Sequence, residues 1–284
     1  MQGPSPARRL VIHAVLIAAS AAFMVPLVWM ISTSLKTNQE AMKMPPVWIP
    51  QTIMWRNYKD ALTYGYKHLG YYPFAEYFKN TLYICVLSVI GTVAANALIA
   101  YGFARIRWKG REVLFWITLA TMMIPFPVVM VPTYGIFKAL GWVGSFKPLW
   151  VPAWFGSAFN IFLLREFFRT IPSELTDAAR IDGCSEFGIF LRIVMPLSKP
   201  ALSVVALFNF LYMWNNFIMP RIYLTDQRMF TLSLGLQFFQ SQHGGTQWHY
   251  LMAASTVVIL PIILLFFFAQ RTFIQGITLT GMKG

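Results

Sequence analysis

Long charge-free stretches separated by short basic runs dominate the chain. A helix crossing about 30 Å of hydrocarbon needs about 20 mostly apolar residues. Windows of that kind fall at about residues 10–35, 80–104, 113–137, 148–168, 200–222 and 250–270. The first follows Arg8 and Arg9 and contains Ala19-Ser20-Ala21, as the core of a signal peptide would. Its apolar run continues from Met24 to Ile31, too far for such a core, so a retained helix is expected. The pattern predicts an all-α, polytopic membrane protein with six transmembrane helices in a single domain over residues 1–284.

The windows are not uniform. The third contains Pro125, Pro127 and Pro132, whose rings remove backbone donors and break the helix ladder. At membrane depth such a break persists only where protein or a water-filled cavity satisfies the freed groups. It fits either a packing kink or a bend lining a pathway. In the second window Gly91 and Ala95, four apart, permit close helix contact. The fifth carries Asn209, Tyr212, Trp214, Asn215 and Asn216 among apolar residues. Polar groups at this depth face the bundle or a cavity. These five are candidate translocation-pathway residues; interhelical hydrogen bonding and interfacial anchoring are the structural alternative.

Composition supports the membrane assignment. The 284 residues are 57% hydrophobic and 12% charged, about half the charged share of soluble domains. A net charge of +13 does not indicate nucleic-acid binding, because the basic residues lie in short runs between apolar windows rather than on one soluble face. They serve better as topology signals. Arg105, Arg107, Lys109 and Arg111 follow the second window, and Arg165, Arg169, Arg180, Arg192 and Lys199 surround the stretch between the fourth and fifth. These runs and Arg8–Arg9 fall on one side, expected to be the cytoplasm, with both termini there. Cys85 and Cys184 are isolated, and the four histidines lack ligand spacing, so neither a disulfide framework nor a metal site is expected.

One stretch departs from the apolar pattern. Residues 166–190 hold five of the ten acidic residues: Glu166, Glu174, Asp177, Asp182 and Glu186. Within residues 172–198, Pro172 and Ser173 read as a helix start, with Ser173 able to cap. Leu175, Ala178, Ala179 and Asp182 share one face. Gly183 fits a helix stop. A second amphipathic run through Phe187, Phe190, Leu191 and Val194 precedes Pro196 and Pro200. The expected unit is a short helix, a turn and another helix on the inner membrane surface. Ala178 and Ala179 would flatten a face for a protein partner; an interfacial anchor is the alternative.

Asp177-Ala178-Ala179, then Gly183, Ile193 and Pro196, resemble in spacing the EAA signature of bacterial ABC-importer permeases: E-A-A, three residues, G, nine residues, I-x-L-P. Asp182 before the glycine is typical of it. Asp177 stands for Glu and Met195 for Leu. PPVWIPQTIMWRNYKDAL (Pro45 to Leu62) resembles the first external loop of the carbohydrate, maltose-type branch, and its smaller permease in particular. Trp214-Asn215-Asn216-Phe217 is similar to its W-N-D-F stretch, and FIQGITLTGMKG (Phe273 to Gly284) to its cytoplasmic tail. The resemblance covers nearly the whole chain.

That resemblance implies a permease subunit of an ATP-driven importer in the bacterial cytoplasmic membrane. It would pair with a homologous permease, two ATPase subunits and an external solute-binding protein delivering a sugar or oligosaccharide. Asp177, Ala178, Ala179, Asp182, Gly183, Ile193 and Pro196 would form the ATPase-coupling segment, within which a coupling helix docks in the ATPase. The tail could reach the ATPase dimer or remain disordered. No G-x-x-x-x-G-K-S/T phosphate loop occurs, so ATP and Mg belong to the partner ATPase; no cofactor and no enzymatic activity are expected of this chain. A self-contained secondary transporter would need ionisable groups inside the spans for ion coupling. The charge-free cores of the windows, 148–164 in the fourth and 200–220 in the fifth, supply no Asp, Glu, Lys or Arg. A membrane enzyme has no nucleophile–base pair to support it. Glycerol 3-phosphate is the alternative solute.

Overall fold

A computed structural model describes residues 5–240 and 245–280, with side chains to residue 270. Among the described residues all regular structure is helical. In chain order the helices are α1 (Pro6–Ser34), α2 (Asn38–Ala41), α3 (Arg56–Leu62), α4 (Tyr66–Leu69) and α5 (Pro73–Ala104). There follow α6 (Arg111–Ala120), α7 (Phe126–Ala139), α8 (Lys147–Trp150) and α9 (Ala158–Thr170). Then come α10 (Ser173–Ile181), α11 (Glu186–Ile189), α12 (Met195–Leu197) and α13 (Lys199–Trp214). The last are α14 (Ile218–Tyr223), α15 (Leu232–Gly235) and α16 (Trp248–Thr280).

By length and apolar composition, α1, α5 and residues 248–270 of α16 are each able to cross a bilayer. Two bent pairs pass the same criterion jointly: Arg111–Met123 with Phe126–Ala139, bent by 101°, and Glu186–Leu197 with Lys199–Trp214, bent by 79°. The first bend falls at Ile124–Pro125, where proline removes a ladder donor and excludes the preceding residue from helical geometry. The fourth window is not one helix. Pro148 lies in the first turn of its first short helix, α8, a 3-10 stretch (Val151–Phe155) follows, and Gly156 breaks the chain at φ +88° before α9. Such an angle is accessible to glycine at no Cβ cost.

The chain divides into two compact units: residues 1–75 with 235–261, and residues 76–234 with 262–284. In the first, the end of α1 is fixed by Asn57, which is buried on α3. Its side-chain amide donates to Ser34 O and Lys36 O, both at 2.8 Å. These contacts satisfy carbonyls that a helix C-terminus leaves orphaned. The Ser34 hydroxyl lies 2.7 Å from that of Tyr58. Lys36 lies buried with its ammonium 4.0 Å from the Trp29 ring centroid, a cation–π contact that partly replaces lost hydration. Thr37 and Glu40 form a reciprocal capping box on α2.

In the second unit, Ala97, Ala100 and Tyr101 of α5 pack with Leu164 and Phe168 of α9, Ile189, Phe190 and Val194, and Ala201 and Val205 of α13. The alanines keep the helix surfaces close. Gly91 does the same: a Cβ there would overlap the Trp154 indole, so its close approach is to Trp154. Arg165, buried near the end of α9, bonds both Glu112 carboxylate oxygens at 2.9 and 2.8 Å and Glu166 at 2.9 Å. Its guanidinium lies 3.9 Å from the Phe115 ring centroid.

Candidate functional site

Residues 172–198 form a helix, a turn and a second helical run. Helix α10 begins at Ser173 without a side-chain cap. Ser173 is thus inside the helix rather than at its cap; the Thr176 hydroxyl donates to its carbonyl at 2.8 Å. The turn comes at Gly183, φ +79°, a conformation L-residues with a Cβ rarely adopt. Ser185 then caps α11 by accepting from Gly188 N at 3.2 Å. A single π-helical turn, Phe190–Val194, leads into α12. Sequence reasoning missed the Ser185 cap, although Ser-Glu-Phe is a conventional helix start.

The motif residues divide between two faces. Asp177, Ala178, Asp182, Gly183 and Pro196 are exposed, while Ala179 and Ile193 are half-buried against the core of the second unit. Ala178 and Ala179 therefore do not share one outward face, because adjacent helix positions point about 100° apart. The apolar exposure comes instead from Ile181, 87% exposed, and Leu175, 45% exposed. Together with Ala178 and Asp182 they form the outward surface. In the second run Phe187 and Leu191 are exposed and Ile189, Phe190 and Val194 are buried.

Polar contacts brace the segment from beneath. Arg180 donates to Asp177 at 2.6 Å and to Glu186 at 2.7 Å, across the Gly183 turn. Glu186 also accepts from the Tyr101 hydroxyl at 2.7 Å. Arg105 donates to the carbonyls of Phe168 and Ile171, where a cation complements a helix C-terminus.

Farther along α5 a cavity of about 340 Å³ opens among α5, the broken 148–157 stretch, α9 and α13. Its polar lining includes Thr92, Asn96, Asn160, Asn209, Tyr212 and Asn216, and no Asp, Glu, Lys, Arg or His lines it among the described residues. The Asn209 side-chain oxygen is buried without a hydrogen-bond partner among the described residues. The Asn216 side-chain oxygen accepts from Met219 N at 3.2 Å, in the first turn of α14. Asn215 donates to Leu211 O at 2.8 Å and lines an adjoining cleft of about 460 Å³ with Tyr212 and Asn216. Trp214 lines neither space. It is buried, stacked on Phe210 at 5.3 Å and edge-on to Phe78 at 6.0 Å, and is a packing residue. Thr92, Asn96 and Asn160 escaped sequence reasoning. Thr92 and Asn96, one turn apart in an apolar window, carried the same polar-at-depth signal as Asn209.

Residues 84–279 match the family described as binding-protein-dependent transport system inner membrane component. The chain belongs to this family, and is an all-α membrane permease subunit of an importer. It is 34% identical over 261 residues to the arabinooligosaccharides transport system permease protein AraQ of Halalkalibacterium halodurans, covering 91% of each chain. It is 32% identical to the sn-glycerol-3-phosphate transport system permease protein UgpE of Pectobacterium atrosepticum, covering 93% of this chain and 94% of that one. A chain of a bacterial ABC transporter for import of the acidic polysaccharide alginate shares the fold, with TM-score 0.80 and 22% identity. That match covers 96% of this chain and all of that one.

Proposed function

We propose that this chain is one of two homologous permeases in an ATP-driven importer of an uncharged sugar or oligosaccharide, delivered by an external binding protein. ATP and Mg are held by two partner ATPase subunits. The chain crosses the cytoplasmic membrane six times, with both termini inside, and the broken 148–170 stretch is the fourth crossing. Residues 172–198 are the coupling segment. ATP-driven closure of the ATPase dimer moves it, and the spans rearrange around the solute pathway.

The observation that carries this reading is the outward surface of α10. Leu175, Ala178, Ile181 and Asp182 face away from the core, while Arg180, Glu186 and Tyr101 brace the segment. An interfacial anchor would dip apolar residues into lipid, whereas a small and acidic edge beside Ile181 suits a protein groove. Asn209, Tyr212, Asn215 and Asn216 are the pathway residues. Asparagine amides suit hydroxyl groups, and the uncharged cavity lining favours a neutral solute over glycerol 3-phosphate, the solute named for UgpE.

Two measurements test this. An Ile181→Cys variant in a Cys184→Ala background should cross-link to the ATPase subunit in native membranes, with a yield that changes on ATP binding. Ile181→Cys labelled only by lipid-phase reagents contradicts docking. Thermal-shift screening of the binding protein against neutral saccharides and glycerol 3-phosphate decides the solute class.

A further inference from the structure

The last turn of α5 and the residue just beyond it grip the coupling segment at its start and again past the Gly183 turn. Arg105 reaches the carbonyls of Phe168 and Ile171, where α9 gives way to α10. Tyr101, four residues earlier, donates to Glu186 at the start of α11. Between these grips lies the Gly183 turn, closed internally by Arg180 bonding Asp177 and Glu186. Tyr101 is 3% exposed and its ring lies 5.2 Å from that of Phe190. Its hydroxyl therefore emerges from a packed core onto one carboxylate, and a buried hydroxyl with such a partner is a directional constraint.

The same helix holds the cavity end of α9. The Asn96 side-chain oxygen accepts from Ser157 N at 2.7 Å, beside the Gly156 break. Thus α9 is clamped to α5 at its start by Asn96 and at its end by Arg105. Ala97 and Ala100 between them allow Leu164 and Phe168 to pack closely.

We propose that Tyr101 is the positioning residue that ties the coupling segment to α5, so that α5, α9 and residues 171–189 move as one block during transport. The inference rests on the coupling reading above. A push on α10 reaches Glu186 through Arg180, passes to Tyr101, and arrives at the cavity as a displacement of Asn96 and the Gly156–Ser157 break. Phenylalanine at 101 would keep the packing and lose only the link.

The test uses the complete importer, reconstituted in vesicles with its binding protein. For Tyr101→Phe, solute transported per ATP should fall about ten-fold, the scale of one lost hydrogen bond to a charged group. The KM for ATP and the assembly of the complex should not change. Separately, Tyr101→Cys/Glu186→Cys, in a Cys85→Ala/Cys184→Ala parent, is joined by a flexible, reducible bis-maleimide. The cross-linked importer should transport more solute per ATP than its reduced form, in which the Tyr101–Glu186 link is cut. Wild-type coupling in Tyr101→Phe, or a cross-link that leaves transport unchanged or abolishes it until reduction, overturns the proposal. If Tyr101→Phe fails to assemble, the cross-link decides alone. Gly183→Val is run alongside. If it also couples normally, the coupling reading itself fails; if it is uncoupled while Tyr101→Phe is normal, only the present inference does.

Discussion

Asn96 and Ser157 meet at the break in the fourth apolar window: the buried Asn96 carboxamide oxygen accepts the Ser157 amide proton at 2.7 Å, while its own amide donates to Thr92 O at 2.6 Å. A broken helix leaves amides that lipid cannot satisfy, and here a neighbouring helix satisfies one. The side chain that stabilises the break also lines the cavity, so the interruption and the proposed pathway share one residue.

Asn96→Leu should therefore destabilise the protein by about 0.5–1.5 kcal/mol, because the Ser157 amide at the cavity wall would lose its protein partner. Thermal unfolding in detergent measures this. Asn96→Gln, which retains a carboxamide acceptor and donor, should unfold closer to wild type. Equal losses for the two variants would show that the Ser157 contact is not what the position supplies.

Arg165 and Glu112 predict an asymmetry. The Arg165 side chain is 7% exposed and that of Glu112 52%. Arg165→Ala removes its contacts with Glu112, Glu166 and Phe115 along with the packing of a nearly buried side chain and should cost about 1–3 kcal/mol. Glu112→Gln leaves Arg165 paired with Glu166 and should cost less, because the Glu112 side chain is largely exposed. Thermal unfolding of the two variants side by side checks the ordering.

Glu40 gives a pH dependence. Its carboxylate accepts from Gln51 N at 2.9 Å and Thr37 N at 3.2 Å. The Gln51 backbone hydrogen bond is the largest influence holding its carboxyl below the ordinary glutamate range, and Thr37 and Lys36 act in the same direction. A carboxylate with a depressed folded pKa contributes stability above its unfolded pKa and loses it as pH falls through the folded value. Loop 37–51 should accordingly be ordered at neutral pH and loosen below about pH 4. Hydrogen exchange of the Gln51 amide should show this in wild type, and at neutral pH in Glu40→Gln. A Gln51 protection factor that stays constant as pH falls through about 4 would contradict the assignment.

Much of this arrangement was legible in the sequence because lipid imposes simple rules. Charge-free windows located α1, α5 and α16, since apolar length alone decides whether a helix can cross. The Gly183 stop was legible because a positive φ after a helix favours glycine. Less visible were features set by long-range contacts. The apolar run of the fourth window, 148–164, is interrupted at Gly156, and Asn96 of α5 accepts the Ser157 amide proton beside that break. Ala178 and Ala179 look equivalent in a motif, but helical geometry turns one outward and the other against the core. Trp214 looked like Tyr212 and Asn216 by position, and packing against Phe78 and Phe210 sets it apart. The C-terminal stretch resembling a flexible tail is helical in its backbone to Thr280; residues 281–284 lie outside the described residues.

The central claim is that residues 172–198 couple this permease to ATP hydrolysis on a partner. The most direct measurement is solute-stimulated ATPase activity of the assembled importer carrying Asp182→Ala or Gly183→Val, alongside membrane insertion of each variant. The account predicts normal insertion and loss of the stimulation, since Gly183 at φ +79° shapes the docking turn and Asp182 lies on its outward surface. Stimulation at the wild-type level in both variants would contradict it.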